Sequence, residues 1–427
     1  MAILTFRGGV HPPINKQNTA DKEVVDYIPK GDLVFPLFMH HGLHAKPIVS
    51  GGEWVSTGTL IAKADGYVSS NVHSSIAGIV KYVDFDSICI ENTGDMHSEV
   101  TQSNNFKHLT PGEIISLIRE AGVVGMGGEE GYPTHIKLQP EEPDKIEYII
   151  VNGCECEPYI TCNYRRLMED TMKVVEGLQI VLRLFPNAKG VIAIEEDKKD
   201  AVRLIKDYCI SDNSFRVKML YTKYPQGSER QLIKTITGRE MNASMKPADV
   251  RALVLNVETI YAIRQAVVEG KPLISRIVTI SGDAIRNPGN YNLRFGTSVE
   301  EAIEAAGGFC KNPEKILIGG PMTGESIFDL SRPVSKDTNA ILAFSVDPVI
   351  NVKMTSCIRC GRCLEVCPSG LMPTHLADFS ALGNVELFRE YDGMECIQCG
   401  SCSYICPAKR SLAELIVTTK QMLLEEV

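Results

Sequence analysis

The sequence predicts a multidomain α/β protein built from four successive units. Three observations carry that expectation. Short β-type runs broken by glycine fill residues 1–105, strands and helices alternate over 106–272, and two four-cysteine runs of identical spacing lie near the C-terminus. With 427 residues and 44% hydrophobic content, each unit can bury a core of its own. The formal charge of −9 leaves no basic footprint and excludes nucleic acid as the main partner. The start "MAILTFRGGVHPPINK" lacks the apolar core of a signal peptide, and no window approaches the roughly 18 apolar residues of a membrane span. A soluble, cytoplasmic chain is expected.

The first unit contains "DLVFPLF", "EWVSTGTLIAKADGYVSS" and "IAGIVKYVDFDSICIEN", runs separated by turn signals at the spacing of a small all-β domain. The segment from Val49 to Val83 resembles a barrel-sandwich domain of the biotinyl/lipoyl kind. Carriers of that kind hold a modifiable lysine at a hairpin tip, where this chain reads Asn71-Val72-His73-Ser74-Ser75. A docking or structural role is therefore expected, rather than a swinging arm.

The second unit, 106–272, opens on "TPGEIISLIREAG". Thr110 is placed as N-cap, Pro111 at the first helical position and Glu113 in a capping box, with Gly122 as the stop. Ile114, Leu117, Ile118 and Ala121 share one face. The β-type runs "IEYIIVN", "GVIAIEE", "FRVKMLY" and "RALVLNV" then alternate with helical segments from about Tyr164, Lys198, Gly227 and Glu258. That order predicts a largely parallel sheet covered on both faces. The third unit, 273–345, places two strand runs around Asn287-Pro288-Gly289, one helix with Thr297 as N-cap and a final strand, a compact β-grasp-like module. The fourth, 346–427, holds the cysteine runs and ends in the helix "SLAELIVTTKQMLLEEV".

Those runs are Cys357-x2-Cys360-x2-Cys363-x3-Cys367-Pro368 and Cys396-x2-Cys399-x2-Cys402-x3-Cys406-Pro407. The spacing is that of bacterial two-cluster ferredoxins, in which the fourth cysteine of each run ligates the other cluster. One [4Fe–4S] centre then takes Cys357, Cys360, Cys363 and Cys406, and the other takes Cys396, Cys399, Cys402 and Cys367. A pair of zinc sites is the competing reading of Cys-x2-Cys pairs, but the full run repeated with proline each time fits two cubanes better. Iron–sulfur clusters move single electrons, so exchange with a nicotinamide requires a flavin between the two.

The loop "GVVGMGGEEGYPTHIKL", Gly122 to Leu138, fails the dinucleotide test. A helix precedes it where a strand is required, and Gly125-x-Gly127 is followed by Glu130 at the third glycine's place. No Gly-Lys-Ser/Thr follows, so it is not a P-loop either. Two readings stand on the loop alone: a Gly-rich surface loop, or a backbone cradle for an anion with Lys137 to neutralise it.

Its company extends the reading. "GVVGMGGEEGYPTHIKL", "VNGCECEP", "YPQGSE", "LNVET", "SGDAIRNPG" and "GGPMTG" resemble, in order, the flavin- and NADH-binding subunit of respiratory complex I. The N-terminal "FRGGVHPP" region and the tandem cluster domain make the chain more similar still to the C subunits of Rnf/Rsx electron-transport complexes. The resemblance implies a barrel-sandwich unit, a Rossmann-like α/β domain for FMN and NADH, a β-grasp module and a ferredoxin-like domain with two [4Fe–4S] clusters. By motif it implies that Gly125, Gly127, Gly128 and Lys137 contact the FMN phosphate and ribityl chain, and that Asn152, Glu155, Asn256 and Thr259 complete the flavin pocket. Tyr132 would stack on the nicotinamide nucleotide, with Glu157 and Glu229 accepting hydrogen bonds from its ribose or amide; a solvated or helix-capping carboxylate is the other reading of each acid. No side chain is expected to act as acid, base or nucleophile.

The implied activity is electron exchange between NAD(H) and, through other subunits, ferredoxin, in a peripheral subunit on the cytoplasmic side of integral-membrane partners that translocate ions. The related alternatives are a cobalamin-reductase-like flavoprotein and an iron–sulfur adaptor without flavin. The chain departs from the family loop Gly-Gly-Ala-Gly-Phe-Pro-Thr, being one residue longer and carrying Glu129 and Glu130. Cys154, Cys156 and Cys162 are read as buried thiols, with a further metal site as the alternative; Cys89, Cys209 and Cys310 are read as core.

Overall fold

A computed structural model describes residues 3–95, 97–99, 101–127, 131–209, 212–347, 349 and 352–425. The first unit is two facing antiparallel sheets. One runs Leu33–Pro36, Ser87–Asn92, Gly78–Val83, Trp54–Val55, and the other Lys46–Pro47, Leu60–Lys63, Val72–His73. Alternation along the first strand puts Leu33 and Phe35 inside, where they join Ile61, Ile88 and Ile90, all fully buried. The segment where carriers hold their lysine is packed within the molecule: Val72 to Ser75 are buried, and the Ser75 hydroxyl donates to the main-chain oxygen of Phe295 in the third unit at 2.6 Å.

The strands of this unit begin only at Leu33. Before it, residues 4–26 form a strap across the other units. Leu4 pairs with Leu220, Val10 with Tyr224, and Val24–Asp26 joins the third unit's sheet in parallel with Asn290–Asn292. These partners lie hundreds of residues away, so local periodicity carries no sign of them.

The second unit is a four-stranded parallel sheet in the order Phe215–Leu220, Lys189–Glu195, Tyr148–Gly153, Ala252–Asn256. Successive residues face opposite cores. Ile149 and Val151 pack with Val174 and Leu178, whereas Ile150 packs with Leu232 and Ile233, so helices cover both faces as the apolar runs predict. The helix Pro111–Glu120 has its full capping box: the Thr110 hydroxyl accepts from the Glu113 amide, and the Glu113 carboxylate accepts from the Thr110 amide at 2.7 Å. Helices Cys162–Glu169 and Val257–Arg264 are joined by a buried Arg166–Glu258 ion pair at 2.7 Å.

The third unit is a six-stranded mixed sheet in the order Val24–Asp26, Gly289–Arg294, Ser275–Ser281, Ala340–Phe344, Lys315–Ile318, Glu325–Ile327. Its helix, Val299–Ala305, is capped by Ser298, whose hydroxyl accepts from the Glu301 amide at 3.1 Å. Thr297, the expected cap, instead turns its hydroxyl back to the Arg294 main-chain oxygen at 2.8 Å. Cys310 is exposed rather than core, because it follows the Gly307-Gly308 turn at the end of that helix; Cys89 is buried, and the side chain of Cys209 lies outside the described residues.

The fourth unit folds five short helices around Leu376, Phe388, Leu412, Ile416 and Leu423. Its two cysteine loops are near copies. Arg359 and Gln398 stand at φ +55° and +58°, Gly361 and Gly400 at +78° and +73°, and each loop turns one amide onto its first thiol at 3.4 Å. Among the described residues, no helix is long and apolar enough to cross a membrane.

Candidate redox site

The glycine loop is built by its neighbours. Gly122 ends the helix at φ +67°, and the Gly125 amide donates to the Tyr132 oxygen at 2.9 Å, closing the loop at its base. Between them the Met126 amide donates to Thr259 Oγ1 at 3.0 Å, and the Met126 oxygen accepts from Arg276 of the third unit at 2.8 Å. Gly127 lies against Asn256, where a β-carbon would stand 2.3 Å from Nδ2. Only glycine lets the backbone approach so closely. Gly128, Glu129 and Glu130 lie outside the described residues, and with them the extra negative charges of the loop.

Asn256 and Asn152 are register partners at the C-terminal ends of adjacent parallel strands, where open α/β sheets place ligands. Asn256 Oδ1 caps the following helix by accepting from the Glu258 amide at 2.8 Å, which aims Nδ2 at Gly127. Asn152 Nδ2 donates to the Gly227 oxygen at 2.8 Å and ties down the loop 224–229. Lys137 and Glu229 pair at 2.9 Å at the end of that loop. Gly125, Gly127, Lys137, Asn152, Asn256, Thr259 and Glu229 are thus brought together. Thr259 is fully buried and shapes the loop through Met126.

The two remaining acids have partners of their own. Glu155 Oε1 accepts from the Asn163 amide at 2.8 Å at the start of a helix, while its buried Oε2 has no hydrogen-bond partner among the described residues. A buried acceptor left open in this way fits a donor supplied by a bound group. Burial raises the Glu155 pKa, opposed by Lys16 and Lys198. Both Glu157 oxygens face the loop 320–323, accepting from the Met322 amide at 3.0 Å and the Thr323 hydroxyl at 2.7 Å, so its place is at a unit junction rather than free in the opening. Tyr132 is half-buried, its ring 6.1 Å from that of His41.

Three residues of this site escape sequence reasoning. Lys16, from the strap, is buried and donates to the Glu155 main-chain oxygen; burial, then Lys198, lowers its pKa. Lys336 is fully buried where three units meet and donates to the oxygens of Asn71 and Gly122, each at 2.8 Å. Burial lowers its pKa to about 7. Arg276 lies 1% exposed within the apolar run "SRIVTIS", and that misplaced charge is the one signal the sequence offered.

The eight clustered cysteines line two separate cavities. One is bordered by Cys357, Cys360, Cys363 and Cys406, the other by Cys367, Cys396, Cys399 and Cys402. Each cavity therefore has three thiols from one run and the fourth from the other, which suits a cubane seated among four thiolates. Among the described residues no three His, Cys, Asp or Glu side chains converge closely around a single point. Nor do Cys154, Cys156 and Cys162 converge: Cys154 lies 3.8 Å from the Ala193 oxygen, Cys156 accepts from the Gly227 amide, and Cys162 faces Glu155. Burial pushes the Cys156 thiol up to about 12.

The two cavities differ in position. Cys357 and Cys360 are exposed. The other set abuts the second and third units: a β-carbon on Gly400 would stand 3.1 Å from the Met322 oxygen, Arg230 pairs with Glu395 at 2.9 Å, and the Gly9 amide of the strap donates to the Val366 oxygen beside Cys367.

Comparison with known proteins gives four family matches: the Nuo51 FMN-binding domain over residues 118–265, the RnfC barrel sandwich hybrid domain over 4–101, the SLBB domain over 277–326 and the 4Fe-4S dicluster domain over 356–410. The C subunit of the proton-translocating ferredoxin:NAD(+) oxidoreductase complex of Clostridium ljungdahlii is 43% identical, over 97% of this chain and 93% of that protein. Its counterpart in the Na(+)-translocating complex of Acetobacterium woodii is 35% identical, over 99% and 98%. Among solved structures, an NAD+-reducing [NiFe]-hydrogenase in the H2-reduced state shares the fold at a TM-score of 0.51 and 17% identity, over 74% of this chain and 62% of the other.

Proposed function

The chain belongs to the family of C subunits of ion-translocating ferredoxin:NAD(+) oxidoreductase complexes, and from that premise we propose how its residues serve an NAD-linked flavin and iron–sulfur oxidoreductase. FMN, when bound, supplies the exchange between a hydride and single electrons. Gly127, and by motif Gly128, would offer backbone N–H groups to its phosphate and ribityl chain from a loop whose base Gly125 closes through its bond to Tyr132, and Lys137 would neutralise the phosphate with Glu229 holding its ammonium in place. Asn256 and Asn152 close the sheet side, and Glu155 Oε2 accepts from the flavin. Tyr132 borders the nucleotide, Glu157 orients the loop that meets the cluster domain, and no residue acts as acid, base or nucleophile.

The observation that carries this reading is the pairing of cavities. Cys367, Cys396, Cys399 and Cys402 surround the centre nearer the flavin, and Cys357, Cys360, Cys363 and Cys406 the one that opens outward. Clusters held by these two sets of thiols would supply single-electron transfer between the flavin and partner subunits, in whichever direction the potentials favour. Near these thiols in the chain Met354, Ile358 and Leu364 are exposed, and Ile358 lines the cavity itself, which suits contact with membrane-embedded partners reached from the cytoplasmic side. The units that serve these roles are 1–105, 106–272, 273–345 and 346–427.

Anaerobic purification, flavin extraction and NADH titration test the reading. The expected result is bound FMN, two cubane signals in electron paramagnetic resonance, and bleaching of both flavin and clusters by NADH. Clusters without flavin, or flavin that NADH leaves oxidised, would overturn it.

A further inference from the structure

The strap's "FRGGV" stretch, Phe6 to Val10, lies between the flavin side and the inner cluster cavity. Val10 and Tyr224 exchange hydrogen bonds in both directions, at 2.8 and 2.9 Å, and Tyr224 opens the loop 224–229 that Asn152 ties to the flavin side. One residue earlier, the Gly9 amide donates to the Val366 oxygen at 2.8 Å, next to the cluster ligand Cys367. Two consecutive strap residues thus join the flavin loop to a cluster ligand by main-chain bonds alone.

Both glycines are required for this fit. Gly8 and Gly9 stand at φ +83° and +85°. A β-carbon on Gly8 would lie 2.9 Å from the Val366 oxygen and 3.0 Å from that of Cys367, and one on Gly9 would lie 2.7 Å from the Tyr224 oxygen. The atoms met are backbone on both sides, so neither could yield without moving the cluster loop or the flavin loop. Lys223 clamps the turn from outside, its ammonium donating to the oxygens of Phe6 and Gly8.

We propose that the Gly8-Gly9 turn is a positioning spacer that sets the separation of the flavin from the inner cluster, and with it the rate of electron exchange between them. This rests on the flavin reading above. Each exchange moves one electron, oxidising the flavin by one and reducing one cubane by one with the flavin's proton released to solvent, or the reverse with a proton taken up from it.

The test is anaerobic stopped-flow of the full chain, loaded with FMN and both clusters, against NADH. Flavin and cluster bleaching are followed separately, with freeze-quench paramagnetic resonance for the clusters. For Gly8→Ala and Gly9→Ala, flavin reduction should keep its rate while cluster reduction slows several-fold. Gly52→Ala is the control: φ is +89° there, yet a β-carbon meets no atom within 4 Å, so it carries the backbone strain alone. Unchanged cluster reduction in both glycine variants overturns the proposal, as does an equal slowing in Gly52→Ala. If the glycine variants fail to hold clusters, Lys223→Met decides: slower cluster reduction at unchanged flavin reduction supports the spacer, and no slowing overturns it. A wild-type flavin that NADH does not reduce overturns the flavin reading and the spacer together.

Discussion

The flavin end and the cluster end of this molecule are built on opposite plans. The cluster end is local: two copies of one loop, from Cys357 to Cys406, with a small core of their own beneath. The flavin end is assembled from afar, with Lys16 from the strap, Gly125 and Gly127 from the loop, Asn152 and Asn256 from the sheet, and Arg276 and Lys336 from the third unit. The difference teaches that cluster chemistry is fixed by a short motif, whereas flavin binding depends on how the units dock.

The largest effect separates the two ends outright. In Cys367→Ala the inner cluster should be lost and NADH-driven reduction of the outer one should fall at least about a hundredfold, since even outer-shell changes at metal sites cost 10–100-fold. NADH oxidation with ferricyanide, which takes electrons at the flavin, should persist. Loss of FMN from this variant would show that the ends are not independent.

The converse variant strikes the flavin end from another unit. Arg276→Met strips the Met126 and Lys336 main-chain oxygens of their buried donor, at roughly 1–3 kcal/mol each. Weaker FMN retention by about tenfold or more is expected, with both cluster signals intact. Equilibrium dialysis against FMN measures it, and undiminished retention would mean that the third unit does not hold the loop.

A pH effect of intermediate size sits at the three-unit junction. The Lys336 pKa is lowered by burial to about 7, below its ordinary value of 10.5. Between these two values the unfolded chain binds more protons at this site than the folded one, so its contribution to stability rises with pH over that window and is lost as pH falls toward 7. Melting temperature from pH 7 to 9 should carry an upward term that Lys336→Met removes. If both proteins show the same slope, the lysine is not the source.

The smallest effect lies far from both ends. Ser298→Ala should cost about 1 kcal/mol by removing the helix cap, leaving FMN content and cluster spectra unchanged. Calorimetry reads the first, and an altered cofactor content would show that the third unit's helix bears on the site.

What the sequence disclosed follows the same division. The cysteine spacing is that of two-cluster ferredoxins, and the exchange of the fourth thiol that this signature carries is what groups the thiols in the two cavities. The capping box at Thr110 and the four strand runs of the parallel sheet were legible for the same reason: their partners are near in sequence or repeat with a fixed period. Lys16 and Lys336 were not, since a lysine donating to distant main-chain oxygens leaves no periodic trace. The strap's pairing with Leu220, Tyr224 and Asn290–Asn292 is equally silent, and its glycines acquire meaning only beside Val366 and Cys367. Ser298 and Thr297 are both competent caps one residue apart, and only the Arg294 oxygen within reach of Thr297 decides between them.

The exposure of Cys357 and Cys360 has a consequence for survival in air. A cubane held by them would meet dissolved oxygen before a neighbour held by the less exposed Cys367, Cys396, Cys399 and Cys402. Preparations handled aerobically should therefore lose the outer centre first and keep the inner one.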